Sequence, residues 1–414
     1  MFNYRIMFRS FTSLSFLQII NYLVPILTFP YLLQTLGPNN YGVVVFSGAI
    51  ASYFAYLIDL GFNYSANQKI ALINDKQAIS TLFSSVLIIK LITSVISFLL
   101  LGGILFFLQI SSFQYTVILY SVFITICNSL YPTWFFLGKE LTHYSTLIIA
   151  PIRIITLILI FSFVVDRDSV LILMQLYSSV SFLIMFISTL FAMRWYRIRI
   201  IIPEMNILKN EFLDSFRIFK GIGAISLYTA SNNLILGIIT NNAMVGIFNA
   251  ADKIRIAFQS GVTIVGQSLF PQVARNIKKN KENVINELIG FMFLGSIVVL
   301  MFSSLAYILS RDIILLIAGK DYFGAIKIFK ILCFIPLSVF ISNILGIQIM
   351  INLDLKNEFN IIIWCGGLLN IMMLILLIPL FSVLGVAFTV LITESFISLT
   401  MLIFLYKRGE IGNV

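Results

Sequence analysis

Eleven ionisable side chains stand inside otherwise apolar runs of this chain: Asp59, Lys90, Arg153, Arg217, Lys220, Asp252, Lys253, Arg255, Lys327, Lys330 and Glu394. A charge at the centre of a bilayer costs about 2.5–3.5 kcal/mol on insertion scales, so such groups face a wet cavity or a partner. Arg153 and Glu394 sit near the middle of their runs, and Lys90 lies close enough to an end to snorkel to an interface. Asp59, Arg217, Lys220, Lys327 and Lys330 lie nearer run ends, where snorkelling explains them equally well. Cations outnumber anions among these positions even with the borderline Glu287 counted. A cationic lumen attracts anions, and Arg and Lys are the usual phosphate partners. Arg153, Lys253 and Arg255, with Lys90, are therefore candidate lining residues for an anionic ligand. Asp59, Asp252 and Glu394 are candidates for ion pairs or coupling, for example Arg153 with Glu394, or Asp252 with Lys253 or Arg255. Lys253 and Arg255 point about 200° apart on a helix at 100° per residue, so the two cannot face one narrow cavity squarely.

No other chemistry stands out. The sequence has no P-loop, no dinucleotide-binding glycine pattern, no HExxH and no nucleophile elbow. Cys127, Cys333 and Cys365 lie in apolar stretches, and His143 has no Cys, Asp or Glu at ligand spacing. Neither a metal, a cofactor nor a disulfide framework is expected. The longest expected outer loop, 311–324, carries no paired-carboxylate or nucleophile constellation.

The elements that position these residues follow from hydropathy. Of 414 residues, 60% are hydrophobic and 11% charged, and the mean hydropathy is +1.03. A soluble domain carries about a quarter charged residues, which excludes a soluble enzyme. A bilayer-spanning helix needs about 20 apolar residues. The apolar runs predict twelve spans at 10–35, 41–61, 82–108, 115–137, 144–165, 169–192, 216–240, 243–273, 285–310, 325–351, 359–380 and 383–406. Unbroken runs such as LITSVISFLLLGGILFFL (91–108) exclude a β-barrel, whose strands alternate. The first run has no small-residue cleavage site and is read as a retained span rather than a signal peptide.

The net charge of +10 would suggest nucleic acid in a soluble chain, but here it marks the cytoplasmic side. With the N-terminus inside, the cytoplasmic segments hold sixteen Lys and Arg, from Arg5 and Arg9 through Lys278 to Lys407 and Arg408, and the opposite loops hold only Arg167, Arg311 and Lys320. Twelve spans with both termini cytoplasmic satisfy this asymmetry.

Spacing also suggests duplication. Tyr41-Gly42 and Val245-Gly246 echo one another 204 residues apart, close to half the length, as a parallel repeat of six spans would give. The expected organisation is a six-helix lobe over 1–193, a basic cytoplasmic linker over 194–215, and a second six-helix lobe over 216–414. The linker's Ile-rich alternation also suits an interfacial amphipathic helix. Prolines 25, 30, 132, 151, 271, 336 and 379 interrupt spans and suit bent helices.

Four landmarks carry a family resemblance: LGPNNYG (36–42), DLGFNYSANQKIA (59–71), YPTWFFLGKE (131–140), and VGIFNAADKI (245–254) closed by LFPQVAR (269–275). In order and spacing they resemble the polysaccharide-unit (O-antigen type) flippases of the multidrug/oligosaccharidyl-lipid/polysaccharide exporter superfamily. Within them, Trp134 reads as an interfacial anchor. The resemblance implies an all-α polytopic membrane protein with two six-helix lobes forming a V around a central cavity. It implies a bacterial inner-membrane transporter, not an enzyme, moving an undecaprenyl-pyrophosphate-linked oligosaccharide to the outer leaflet by alternating access. Lys90 and Arg153 would line the first lobe, Lys253 and Arg255 the second. Its partners would be the lipid-linked substrate, membrane lipids and other surface-polysaccharide assembly proteins, with no nucleic acid. Two alternatives stay open: a cation-coupled drug exporter of the same superfamily, and a membrane O-antigen polymerase or glycosyltransferase.

Overall fold

The computed structural model describes residues 4–107, 110–277 and 279–411, and the side chains of 24, 26–103, 105–106, 110–219, 230–266, 269–270, 272–277 and 279–411. The side chains of Arg5, Arg9, Pro25, Lys220, Pro271 and Lys278 lie outside the described residues. Every element among the described residues is helical, with no strand. The chain is an all-α polytopic membrane protein.

The order is α1 Tyr4–Asp59, α2 Phe62–Leu72, α3 Lys76–Phe107, α4 Ser112–Leu130, α5 Thr133–Gly138, α6 Thr142–Phe163, α7 Val170–Tyr196, α8 Met205–Ile239, α9 Asn242–Asn276, α10 Lys281–Ile308, α11 Ser310–Ile317, α12 Ala325–Leu332, α13 Ile335–Ser342, a π-helical turn pair Asn343–Met350, α14 Lys356–Phe381 and α15 Val383–Lys407. Each of the twelve expected spans falls on helix. Two share α1, which bends at Gly37 (φ 72°, ψ 171°), a conformation that only glycine adopts without strain. The fourth ends in the break at Tyr131-Pro132, and the tenth runs through α12, α13 and the π-helical turns. Among the described residues, nine segments are long and apolar enough to cross a membrane by themselves; the first of these is Ile26–Leu72, 47 residues. α9 is not among them, and Asp252, Lys253 and Arg255 dilute its apolar face.

The chain divides into two compact units: Met1–Leu36 with Val43–Ser226, and Gly37–Gly42 with Leu227–Val414. In the first, a core gathers Phe62, Ile70, Phe83, Trp134, Phe135 and Phe136. Trp134, expected as an interfacial anchor, is 3% exposed. It is a core residue because the short α5 lies flat on α2: a Cβ on Gly138 would fall 2.9 Å from the Asn67 carbonyl oxygen. Tyr31 donates its hydroxyl proton to the Val164 carbonyl at 2.6 Å, satisfying a carbonyl that the end of α6 leaves without an intrahelical donor.

The Ile-rich part of the connector after α7 does not form the amphipathic helix its alternation allowed, whereas 205–215 of the expected linker belong to α8. Residues 198–204 are non-helical, and they are strapped to α3. The Arg199 amide donates to Ser80 Oγ at 3.2 Å and the Ile201 amide to Ser84 Oγ at 3.1 Å. Two residues of extended chain rise about 6.6 Å, near the rise of about 6 Å that separates i and i+4 on a helix. An extended strap can therefore match successive serines on a helix face.

Candidate functional site

Lys90 is buried between α1, α3 and α4, with its side chain 2% exposed. Its Nζ donates to Asp59 Oδ1 at 2.9 Å and to the Ser129 carbonyl at 2.8 Å. Asp59 ends α1, and Ser129 lies in the last turn of α4, whose final carbonyls lack intrahelical donors. The ammonium thus neutralises a carboxylate and caps a helix C-terminus, where cations are favoured. Lys90 neither snorkels nor presents itself to a cavity here; it ties three helices together.

The second landmark docks α2 on the start of α8. Lys69 Nζ reaches Glu211 Oε2 and Asp214 Oδ2, each at 2.8 Å. Ser215 Oγ donates to the Leu60 carbonyl at 2.8 Å and lies 3.2 Å from Ser65 Oγ. The hydrogen bond from Lys69, with the charges of Lys69 and Arg217, holds the Asp214 carboxyl below the usual carboxylate range. Arg217, expected near a span end, is exposed beside Asp214 at 3.5 Å.

Arg153 occupies the middle of α6, half-buried. Near it Tyr131 shares a 2.5 Å hydrogen bond with Ser145. Glu394, its candidate partner, is a half-buried residue of α15 in the other unit.

In the second unit the candidate pairs resolve. Arg255 pairs with Asp252, with Nε and Nη2 at 2.8 and 2.7 Å from Oδ1, and donates through Nη1 to Gln259 Oε1. Asp252, Arg255 and Gln259 form one stripe at helical spacing. Lys253 is exposed, eleven residues into α9, or about 17 Å from its start.

The halfway echo has a structural meaning that motif reading missed. Tyr41 Oη donates to Asn249 Oδ1 at 3.0 Å. A Cβ on Gly246 would lie 2.1 Å from the Pro38 carbonyl oxygen. The two related segments pack on one another inside the second unit, and the equal offset of the paired glycines was the available signal.

These helices and the ionisable side chains inside them define a polytopic all-α membrane protein. The fold is similar to an inward-facing MATE-family multidrug transporter (TM-score 0.71, 14% identity, 96% of this chain and 98% of that one). It is similar to the same degree to the lipid II flippase MurJ (TM-score 0.71, 14% identity, 96% and 87%). Residues 7–277 match the family model described as "Polysaccharide biosynthesis protein". Two relatives carry the name "Putative O-antigen transporter". One, from Escherichia coli (strain K12), is 30% identical over 398 residues, covering 96% of each chain. The other, from Shigella dysenteriae, is 23% identical over 395 residues, covering 92% of this chain and 96% of its own. The chain belongs to this polysaccharide biosynthesis protein family, and its class is transporter, not enzyme.

Proposed function

We propose that the protein is a flippase for an undecaprenyl-pyrophosphate-linked oligosaccharide, an O-antigen-type repeat unit, carried from the cytoplasmic to the outer leaflet of the bacterial inner membrane by alternating access. End-to-end identity of 30% to a protein named for O-antigen transport supports the substrate class. The observation that carries the chemistry is Lys253, exposed about 17 Å into a helix of a membrane protein. An ammonium at that depth is too costly to face lipid and therefore lines a water-filled cavity. Arg153, mid-span and half-buried, supplies the cation of the first unit.

On this reading Arg153 and Lys253 balance the pyrophosphate or acidic sugars while the glycan crosses. Arg is suited to bidentate hydrogen bonding with phosphate, and Lys serves as a point charge. Lys90 acts as a structural tie, and Asp252 fixes Arg255. Both termini lie in the cytoplasm, as the loop charges require. The test is surface glycan in a flippase-deficient strain complemented by Arg153→Ala and Lys253→Ala at unchanged protein level. Loss of glycan in both supports the cationic cavity; normal glycan in both overturns it. A drug exporter would instead confer drug resistance without a glycan phenotype.

A further inference from the structure

The end of α7 and the strap that follows it leave three arginines and two isoleucines uncovered. α7 begins at Val170 and ends at Tyr196, so Arg194 and Trp195 stand about 36 Å along it, beyond the hydrocarbon thickness of about 30 Å. With the topology expected from the loop charges, this end meets the cytoplasmic leaflet. Arg194, Arg197 and Arg199 are exposed, and among the described residues none of them forms an ion pair. Ile187, Leu190, Phe191, Arg194 and Trp195 share one face of α7 by their helical spacing and line an open groove of about 420 Å³, within the range of about 300–1,000 Å³ typical of ligand sites. The groove is apolar for about 10 Å from Ile187 and cationic at its cytoplasmic end. Trp195 forms its rim, with the rings of Phe191 and Tyr144 at 5.4 and 4.8 Å from its own. The strap adds to this surface. Ile198 and Pro203 are buried, and Ser80 and Ser84 hold the amides of Arg199 and Ile201. Ser84 lies about 6 Å further along α3 than Ser80, so the strap turns back toward the bilayer. It carries Ile200 and Ile202 outward, 58% and 91% exposed, level with the start of the third span.

We propose that the end of α7 and the strap form a site for anionic phospholipid of the cytoplasmic leaflet, with an acyl chain in the α7 groove, its phosphodiester at Arg194, and Arg197 and Arg199 extending the contact to adjacent headgroups. Exposed isoleucines between arginines suit the boundary between headgroups and acyl chains, where an apolar side chain and a cation are satisfied side by side. Non-helical backbone is not tolerated against lipid tails, which keeps the strap at that boundary. Guanidinium groups form bidentate hydrogen bonds to phosphate, and the negative potential of the cytoplasmic leaflet attracts cations just outside a span. A zwitterionic headgroup would set its own ammonium against three arginines, whereas phosphatidylglycerol brings no cation. A phospholipid held here is a fixed tie to the leaflet rather than a cargo, whatever the chain carries. The strap is the connection from α7 to α8, so its lipid contacts add to the two serine bonds that fix that connection on α3.

The test is photolabelling of the purified full chain in nanodiscs with a phosphatidylglycerol bearing a diazirine on an acyl chain close to the glycerol. A phosphatidylethanolamine with the same diazirine is the comparison. Labels are expected within 187–195 and 200–202, with the phosphatidylglycerol probe preferred. The triple variant Arg194→Gln/Arg197→Gln/Arg199→Gln should lower that labelling about tenfold. A control triple, Arg275→Gln/Lys279→Gln/Lys407→Gln, removes the same charge from exposed cytoplasmic positions elsewhere and should leave it unchanged. Arg197 holds the left-handed conformation that ends α7 (φ 51°). Should its replacement destabilise the fold, the double variant Arg194→Gln/Arg199→Gln leaves it in place and is expected to lower labelling in the same direction. Equal labelling by the two lipids would show ordinary annular contact and overturn the site. A control triple that lowers labelling as much as the site triple would show a diffuse charge effect and overturn it equally. Absence of label from 200–202 with either lipid would leave the strap to a soluble partner and overturn the lipid assignment.

Discussion

Gly42 and Gly246, 204 residues apart in the chain, meet backbone to backbone: a Cβ on Gly42 would lie 1.7 Å from the Asn242 carbonyl oxygen and 3.0 Å from the Gly246 nitrogen. Neither contact involves a flexible side chain that could turn away. Gly42→Ala must therefore push the two helices apart, and overpacking of this kind costs about 1–3 kcal/mol. Thermal unfolding of the purified protein should show a clear fall in Tm for Gly42→Ala and for Gly246→Ala. Tyr41→Phe, which removes the hydroxyl that donates to Asn249 and leaves the backbone contact in place, should show a smaller one.

The Lys90–Asp59 pair separates structural from transport roles. Removing one partner of a buried pair leaves an uncompensated charge and costs about 3–5 kcal/mol. Lys90→Met and Asp59→Asn should each lower protein level and Tm, Asp59→Asn the more, because it strands the Lys90 ammonium, 2% exposed, whereas the Asp59 left by Lys90→Met is 24% exposed. The double variant Lys90→Met/Asp59→Leu should recover some of the stability lost in Lys90→Met. A Lys90→Met protein of native stability with impaired export would return Lys90 to the cavity.

The docking of α2 on α8 should be acid-sensitive. The Asp214 carboxyl is held below its usual range by the hydrogen bond from Lys69. A depressed carboxylate pKa contributes stability that is present above the unfolded value, about 3.9. That contribution is lost as pH falls through the lower, folded value. Unfolding temperatures measured from pH 7 down to pH 3 should drop more steeply in the wild type than in Asp214→Asn, with the two curves converging at the acid end.

Lys253 and its neighbour Arg255 should respond oppositely to conservative exchange. A cavity point charge tolerates a change of cation, so Lys253→Arg should keep surface glycan and Lys253→Ala should lose it. Arg255 uses its fork on Asp252 and Gln259. Arg255→Lys, although it keeps the charge, gives up charge-assisted hydrogen bonds worth about 1.5–3 kcal/mol. Its Tm should fall measurably.

Much of the helical layout was legible because hydropathy and loop charge are imposed by the bilayer along the whole chain. The twelve expected spans land on helices, and the bend between the first two falls at a glycine of the LGPNNYG run. Side-chain fate was less legible. Lys90 reads in sequence as a cation able to snorkel or to line a cavity, and only the approach of Asp59 and of the Ser129 carbonyl shows it to be a tie between helices. Trp134 looked interfacial because aromatic belts are common; its burial depends on α5 lying on α2, a long-range contact set by Gly138. The pairing of Asp252 with Arg255 rather than Lys253, left open by the sequence, follows from i,i+3 spacing on one helix face.

Reconstitution tests the central claim most directly. Proteoliposomes holding the purified protein would be loaded with a fluorescent undecaprenyl-pyrophosphate oligosaccharide, and its appearance in the opposite leaflet read by accessibility to an added glycosidase. The account predicts protein-dependent transfer that is sharply reduced in Arg153→Ala and Lys253→Ala. Transfer no faster than in protein-free vesicles, together with export of cationic drugs by the same preparation, would contradict it.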